Sequence, residues 1–313
     1  MERVGLGFAG VGWLGGALAD AAAQNPDLRI VAVQDVDGSR AAGVADRHGA
    51  VWRGTDFEAL LAVPGVDAVV ISSPNVLHVP QSIAALQAGK HVLVQKPLAI
   101  SPGGAHAVLA QAARTGRVLF VDYSYRYLDT VRELRQTLPL IGRVTMVTGA
   151  FHNIYGPGKA WFFDPKISGG GALVDLGVHL LDLAVELLAP QSTSLKEVHL
   201  SFRQGHLVED AARLRVMMDG VPVNLDVSWN AALSESIIRL ELHGERGTAC
   251  WENVDGSFFR FRTVHNGHIR LDRETTLRED TLCAFAEALT SSVAPRSHSS
   301  VHEILASAYA CPL

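Results

Sequence analysis

Three groups of residues in this chain have types and spacings suited to chemistry. The first is Gly10-Val11-Gly12-Trp13-Leu14-Gly15 together with Asp35. The glycines follow an apolar run, Val4 to Ala9, and open a helix-like stretch, Trp13 to Gln24. Asp35 closes a second apolar run, Leu28 to Gln34. A lone glycine motif is weak, but strand, helix and downstream acid together read as a dinucleotide site. Gly10 permits a tight turn, Gly12 lets backbone approach a pyrophosphate, and Gly15 lets the helix pack closely. The helix start offers N–H groups to phosphate, and Asp35 is placed to accept from the adenosine ribose. The second group is Gln95-Lys96-Pro97 at a strand end, where an ammonium can polarise a substrate oxygen. The third is Asp175 with His179. Four residues apart on a helix, they share a face. A carboxylate there can orient an imidazole and stabilise its protonated form, so that His179 serves as base in oxidation and acid in reduction.

Each group also has a bland reading. A strand-end lysine is commonly solvated, and an Asp–His pair can be a helix surface feature. Gly169-Gly170-Gly171 ahead of the pair suggests instead a helix start brought close to something such as a ligand.

Alternating strand and helix signals must position the first two groups. Helical patterns cover Ser39 to Arg47, Asp56 to Leu61, Pro80 to Ala88 and Pro102 to Arg114. Strand patterns cover Val66 to Ser72, His91 to Val94 and Val118 to Asp122. This order predicts a doubly wound parallel sheet, with ligands beyond the carboxyl ends of its strands. Ser72-Ser73-Pro74-Asn75 and Gln95-Lys96-Pro97 lie at such ends. From about position 143 the period becomes two. Val221, Val223, Leu225, Val227 and Trp229 alternate with Pro222, Asn224, Asp226 and Ser228, with Asp219-Gly220 as a hairpin turn. A large, mainly antiparallel sheet in an α+β domain is expected, with helices over Leu128 to Thr137, Ala172 to Leu188, Asp280 to Leu289 and His302 to Ala310. The reading divides the chain into 1–124, a Rossmann domain, and 125–313, a substrate and oligomerisation domain.

Composition sets bounds. The 313 residues favour two domains. Net charge is −5 with no basic tract, which argues against nucleic acid and anionic membrane partners. Glu2 and the glycines near the start argue against a secretory signal, and no apolar run reaches the ~20 residues of a membrane span. Cys250, Cys283 and Cys311 form neither a disulfide framework nor a metal cluster. They read as buried small hydrophobes in a reducing cytoplasm.

With these motifs in hand, the chain resembles the Gfo/Idh/MocA oxidoreductases. The resemblance rests on the N-terminal GxGxxG, the Lys96-Pro97 pair and the stretch Gly169-Gly170-Gly171-Ala172-Leu173-Val174-Asp175-Leu176-Gly177-Val178-His179. Pro74-Asn75-Val76-Leu77-His78 and Ile141-Gly142-Arg143-Val144 add to it. It implies an NAD(P)-dependent dehydrogenase or reductase of sugars, cyclitols or other polyols, with Lys96, Asp175 and His179 as its catalytic trio. The chain departs from the common Glu-Lys-Pro at Gln95, which would leave Lys96 short of one adjacent anion.

The cofactor set expected on these grounds is Gly10, Gly12, Trp13, Leu14, Gly15, Asp35, Arg40, Ser72, Pro74, Asn75, His78, Gln95 and Lys96. Asp35 favours NAD by repelling a 2′-phosphate, and Arg40 leaves NADP open. No metal is expected. Arg126, Asn153, Tyr155 and Trp161, with Asp175 and His179, are expected to bind a polyhydroxylated substrate, whose C–H faces stack on aromatic rings. Three function classes stay open at this point: a polyol dehydrogenase, a glycoside-cleaving enzyme using transient oxidation, and a cofactor-binding regulator without turnover. The polar sheet face carrying Arg213, Arg215, Asn224, Asp226, Arg239 and Glu241 suggests a homodimer or dimer of dimers.

Overall fold

The computed structural model describes residues 3–203, 205–291 and 299–310; Cys311 lies outside them. The first part of the chain runs β1 (Val4–Ala9), α1 (Trp13–Ala22), β2 (Leu28–Gln34), α2 (Gly38–His48), β3 (Trp52–Gly54), α3 (Phe57–Leu61), β4 (Ala68–Ile71), α4 (His78–Gln87), β5 (His91–Gln95), α5 (Pro102–Thr115) and β6 (Leu119–Asp122). The strands pair in parallel in the order β3-β2-β1-β4-β5-β6. Strands covered on both faces must be apolar throughout, and every residue of β4 is 0% exposed. The helix punctuation is local. Asp37 and Asp56 cap α2 and α3, Ser101 caps α5 ahead of Pro102, and Gly49 and Gly116 end α2 and α5 in the left-handed region. The strand order is that of a dinucleotide-binding sheet.

The second part runs α6 (Asp129–Ile141), β7 (Val144–His152), α7 (Pro165–Ser168), a π-helical turn (Leu173–Gly177), α8 (Val178–Leu188), β8 (Thr193–Ser201), β9 (Ala211–Met218), β10 (Val221–Ser228), β11 (Ile237–Gly244), β12 (Gly247–Asn253), β13 (Arg260–His265), β14 (His268–Glu274), α9 (Leu277–Ser291) and α10 (Ser299–Ala310). Its strands form an eight-stranded sheet, β14-β13-β12-β11-β7-β10-β9-β8, antiparallel except for β7 with β10. The β9–β10 hairpin turns at Asp219 and Gly220, both with positive φ, the geometry that matches strand twist. One sheet face is apolar and carries α8. At Gly149 of β7 the helix comes so near that an added Cβ would lie 2.7 Å from Leu225, 3.2 Å from Leu180 and 3.2 Å from Leu240.

By its internal contacts the chain forms two compact units. The first holds the chain up to Ser124 with the described residues from Arg278 through α9; the second holds Tyr125–Leu277 and α10. The α9 segment, expected beside the antiparallel sheet, therefore packs with the parallel one. Phe285 meets Phe120 edge-on at 5.4 Å, and Thr281 donates to Asp122 at 3.0 Å. Cys250 is buried as expected, but Cys283 is exposed on α9 because its position faces away from that packing.

Arg126 was expected to touch substrate. Its side chain is 5% exposed and forms a bidentate pair with Asp182, itself 1% exposed, with Glu186 at 3.3 Å from the same guanidinium. The Asp182 charge raises the already high pKa of Arg126 against the opposing effect of burial. The charge is thus committed inside the second unit. Asp182→Ala leaves a buried guanidinium short of its main partner and should destabilise that unit by about 3–5 kcal/mol in chemical denaturation. Replacing both partners with apolar residues of similar volume should recover most of that loss; equal destabilisation by the single and double variants would contradict this account.

Candidate active site

In the first unit, the glycine-rich turn joins β1 to α1. Gly10 has φ +79°, and an added Cβ would lie 2.9 Å from the Ser73 nitrogen. A Cβ on Gly15 would lie 2.0 Å from the Gly10 carbonyl oxygen. These contacts demand glycine and keep backbone at the turn bare. No side chain caps α1 at Gly12, and no acidic residue lies in its first turn. Those N–H groups suit an anion. At the end of β4, the Ser72 Oγ is inaccessible and lacks a partner among the described residues. The donor set, the bare turn and this orphan hydroxyl fit a dinucleotide.

Asp35 is 3% exposed. Its carboxylate accepts from the Val11 nitrogen at 2.8 Å and the Asp37 nitrogen at 2.9 Å, so it also braces the glycine turn. Arg40 reaches it at 3.1 Å and reaches Asp37 at 3.4 Å. Trp13 is 72% exposed at the start of α1, with the Arg278 guanidinium 5.0 Å from its ring centre. Leu14 is half-buried in the same turn. Pro74 precedes a short 3-10 turn holding the buried Asn75. His78, expected beside the cofactor, is fully buried. Its Nδ1 lies 2.7 Å from the Pro97 carbonyl and its Nε2 2.9 Å from the Ser73 carbonyl. Burial lowers its pKa most, backbone hydrogen bonds oppose this, and the Lys96 charge lowers it further. It ties together the loops after β4 and β5.

The substitution at Gln95 has a physical reason that the sequence concealed. The Gln95 amide donates to the Asp122 carboxylate on the neighbouring strand. A glutamate at 95 would set two carboxylates together in a buried place. Asp122 also accepts from Ser124 at 2.9 Å and Thr281 at 3.0 Å. Burial pushes its carboxyl up, while these bonds and the Lys96 charge pull it down. Lys96 therefore keeps a nearby carboxylate, contrary to expectation; it has moved one strand over.

In the second unit, Asp175 lies in the π-helical turn and His179 in the first turn of α8. From Gly171 to Val185 every residue is buried except these two, which are half-buried. The open face of this helix is the Asp175–His179 face. The Trp229 indole donates to Asp175 at 3.0 Å. The Tyr125 ring lies 4.9 Å from the His179 ring and the Phe151 ring 6.2 Å from it. Burial raises the Tyr125 phenol far above its ordinary range, and the Asp175 charge adds to this. Tyr155, 53% exposed, is raised for the same two reasons, burial first. Both phenols stay protonated and within the field of Asp175. Trp161 stacks on Phe162 at 4.0 Å, and Phe162 meets Trp229 edge-on at 6.5 Å. Asn153 is buried, and its Oδ1 has no partner among the described residues. Tyr125 and Trp229 were missed as neighbours of the pair. Only Trp229 left a signal, as an apolar position ending a strand pattern.

The glycine triplet meets protein, not a ligand. A Cβ on Gly171 would lie 1.9 Å from the Glu209 carbonyl oxygen, and one on Gly170, at φ +153°, would lie 2.2 Å from the Tyr309 hydroxyl. The Glu209 carboxylate accepts from the Gly171 nitrogen at 3.0 Å, the Leu173 nitrogen at 2.9 Å and the Tyr309 hydroxyl at 2.7 Å. Burial pushes this carboxyl up, and the hydrogen bonds hold it down.

Comparison with known proteins agrees with this architecture. Residues 4–123 match the model of an oxidoreductase family with an NAD-binding Rossmann fold, and residues 131–250 match the GFO/IDH/MocA C-terminal domain. Among relatives, D-glucoside 3-dehydrogenase of Escherichia coli (strain K12) is 35% identical over 167 residues, 52% of this chain and 47% of that protein. The chain thus aligns with about half the length of that relative. The NADP(+) scyllo-inositol 2-dehydrogenase IolU of Bacillus subtilis (strain 168) is 29% identical over 78% of this chain and 75% of its own. The crystal structure of GenD2 from gentamicin A biosynthesis, in complex with NAD, superposes with a TM-score of 0.86 at 26% identity, covering 99% of this chain and 94% of that one. The chain belongs to the Gfo/Idh/MocA family and is an NAD(P)-dependent oxidoreductase, its first unit being the family's NAD-binding Rossmann domain.

Proposed function

We propose that this enzyme transfers a hydride between a nicotinamide cofactor and a secondary alcohol of a sugar, cyclitol or related polyol. The observation that carries the reading is the open Asp175–His179 face, bordered by Tyr125 and Trp229 in an otherwise buried helix. The bound cofactor supplies the hydride acceptor or donor. His179 takes the hydroxyl proton in oxidation and returns it in reduction. Asp175, held by the Trp229 indole, supplies the negative charge that favours the imidazolium. The ammonium of Lys96 polarises the substrate oxygen, with Asp122 fixing its local field. Tyr155 and Trp161 offer ring faces to sugar C–H groups, and the Asn153 Oδ1 offers an acceptor to a hydroxyl. The relatives named as glucoside and inositol dehydrogenases support this substrate class. The free thiols of Cys250 and Cys283 suit the cytoplasm.

His179→Ala should lower kcat by about 10²–10⁴-fold, the usual loss for a general acid–base group, with NAD affinity retained. Asp175→Asn should be intermediate, and Lys96→Ala should lower kcat and weaken nicotinamide binding together. Steady-state kinetics on a panel of D-glucosides and scyllo-inositol, with NAD titrated separately, checks this. A folded His179→Ala enzyme with kcat within about threefold of wild type, too small for a lost general base, would remove His179 from the mechanism. Net NADH release with a polyol separates a dehydrogenase from an enzyme that oxidises only transiently.

Cofactor choice follows from Asp35 and Arg40. The buried Asp35 carboxylate repels a 2′-phosphate and engages Arg40, the one expected cofactor residue suited to attract it. NAD should bind more tightly than NADP in a fluorescence titration. Asp35→Ser should narrow that gap by about 1–3 kcal/mol through the loss of a charged hydrogen bond, whereas Arg40→Ala should widen it. Equal or tighter binding of NADP by the wild type would overturn the assignment.

The outer sheet face is a ladder of paired charges. Arg213 bonds Asp226 at 2.7 Å, Arg215 bonds Glu197 at 3.0 Å, and Arg239 bonds Glu252 at 2.8 Å. Pairing within the face leaves little net charge to repel a second copy, which supports a homodimer or dimer of dimers through this sheet. Light scattering at micromolar concentration should give a dimer mass or its double; a monomer mass would rule it out.

A further inference from the structure

The catalytic pair sits on a helix whose start is held by one distant residue. A helix leaves its first N–H groups without intrahelical partners. Here Glu209 supplies acceptors to three successive ones. Its carboxylate takes the Gly171 and Leu173 nitrogens, and its backbone carbonyl takes the Ala172 nitrogen at 2.9 Å. The Gly171 carbonyl in turn accepts from the Asp175 nitrogen at 3.0 Å. The Leu173 carbonyl accepts from the Val178 nitrogen, the five-residue bond that defines the π turn. Glu209 therefore grips the residues from which the π turn is suspended. Tyr309, on α10, aims the Glu209 carboxylate by donating to Oε1 at 2.7 Å. The absence of a Cβ at Gly170 and Gly171 is what lets both residues come this near.

We infer that Glu209 is a positioning residue for catalysis, with Tyr309 as its support: together they set the register of the π turn that presents Asp175 and His179 on one open face. The inference rests on the assignment of those two residues to proton transfer. Neither Glu209 nor Tyr309 needs to touch substrate for this. Their effect lies in where the Asp175 carboxylate and the His179 ring stand, and a reacting group displaced by about 1 Å can cost on the order of 100-fold in rate. A residue that merely stabilised the fold would change the melting temperature and leave the turnover of folded enzyme alone.

The test compares Glu209→Ala, Glu209→Gln, Tyr309→Phe and His179→Ala, each shown folded by circular dichroism and assayed well below its melting temperature. The substrate is whichever of methyl β-D-glucoside and scyllo-inositol the wild type turns over. Glu209→Ala should lower kcat on the order of 10- to 100-fold, as expected for misplaced groups, with the Kd for NAD within about twofold of wild type. Glu209→Gln keeps an oxygen where Oε1 accepts from Gly171, Leu173 and Tyr309, so it should recover most of the loss. Tyr309→Phe should lower kcat by about threefold or more through the released carboxylate, again without changing the Kd for NAD. Wild-type kcat in folded Glu209→Ala, or a loss that appears in the Kd for NAD and not in kcat, would overturn the inference. If Glu209→Ala does not fold, Tyr309→Phe decides: unchanged kcat overturns it. Loss of activity in His179→Ala with normal turnover in the other variants would reject the positioning role alone. Normal turnover in His179→Ala would reject the mechanism beneath it.

Discussion

Every helix begins with N–H groups that its own turns do not satisfy, and this chain meets that constraint in two opposite ways. At α1 the start is left bare: glycines strip the turn, no side chain caps it, and the buried Asp35 braces it from behind. At the helix carrying Asp175 and His179 the start is filled by a single glutamate from a loop 38 residues away. Both starts are rich in glycine, and the sequence offers little to tell them apart. The difference is chemical. A dinucleotide brings its own negative charge and needs donors left open. A proton-transfer pair needs a fixed place, and the donors that would otherwise attract water are better occupied by protein.

The second organising feature is the placement of buried charge. Asp35, Asp122, Asp182 and Glu209 are each under 5% exposed. A buried carboxylate is costly unless hydrogen-bonded or paired. Each one here is answered: Asp35 by Val11 and Arg40, Asp122 by Gln95, Ser124 and Thr281, Asp182 by Arg126, and Glu209 by the helix start and Tyr309. Three of these sites adjoin the groups expected to do chemistry. The fourth, Asp182, is a reminder that a buried ion pair can serve packing alone, which is why Arg126 resembled a binding residue.

Much of the first unit was legible because its signals are local. The caps at Asp37, Asp56 and Ser101, the glycines at 49 and 116, and the apolar run of β4 each act within a few residues. The alternation of β10 and the Asp219-Gly220 turn were legible for the same reason. What escaped was either too short or too distant. β3 has three residues, fewer than a period needs. α6 continues through Pro139 to Ile141, since a proline near the last turn removes a single donor. The partners of Asp175, Gly171 and Arg126 lie 54, 38 and 56 residues away, and no pattern in one sequence links such positions. The residue types of the candidate site could be read; the company they keep could not.

The π turn carries a consequence best put as rotation. Each residue of an α-helix turns the chain by about 100°, so removing one residue from the Leu173–Gly177 stretch would swing everything after it through roughly that angle. His179 would leave the open face, and Leu180, Leu181, Leu183 and Ala184, all at 0% exposure, would leave the sheet with it. No compensating change of side chain restores a helix turned by more than a quarter circle. The number of residues between Gly171 and His179 is therefore held as firmly as their identity. Substitution is open to this segment in a way that insertion and deletion are not.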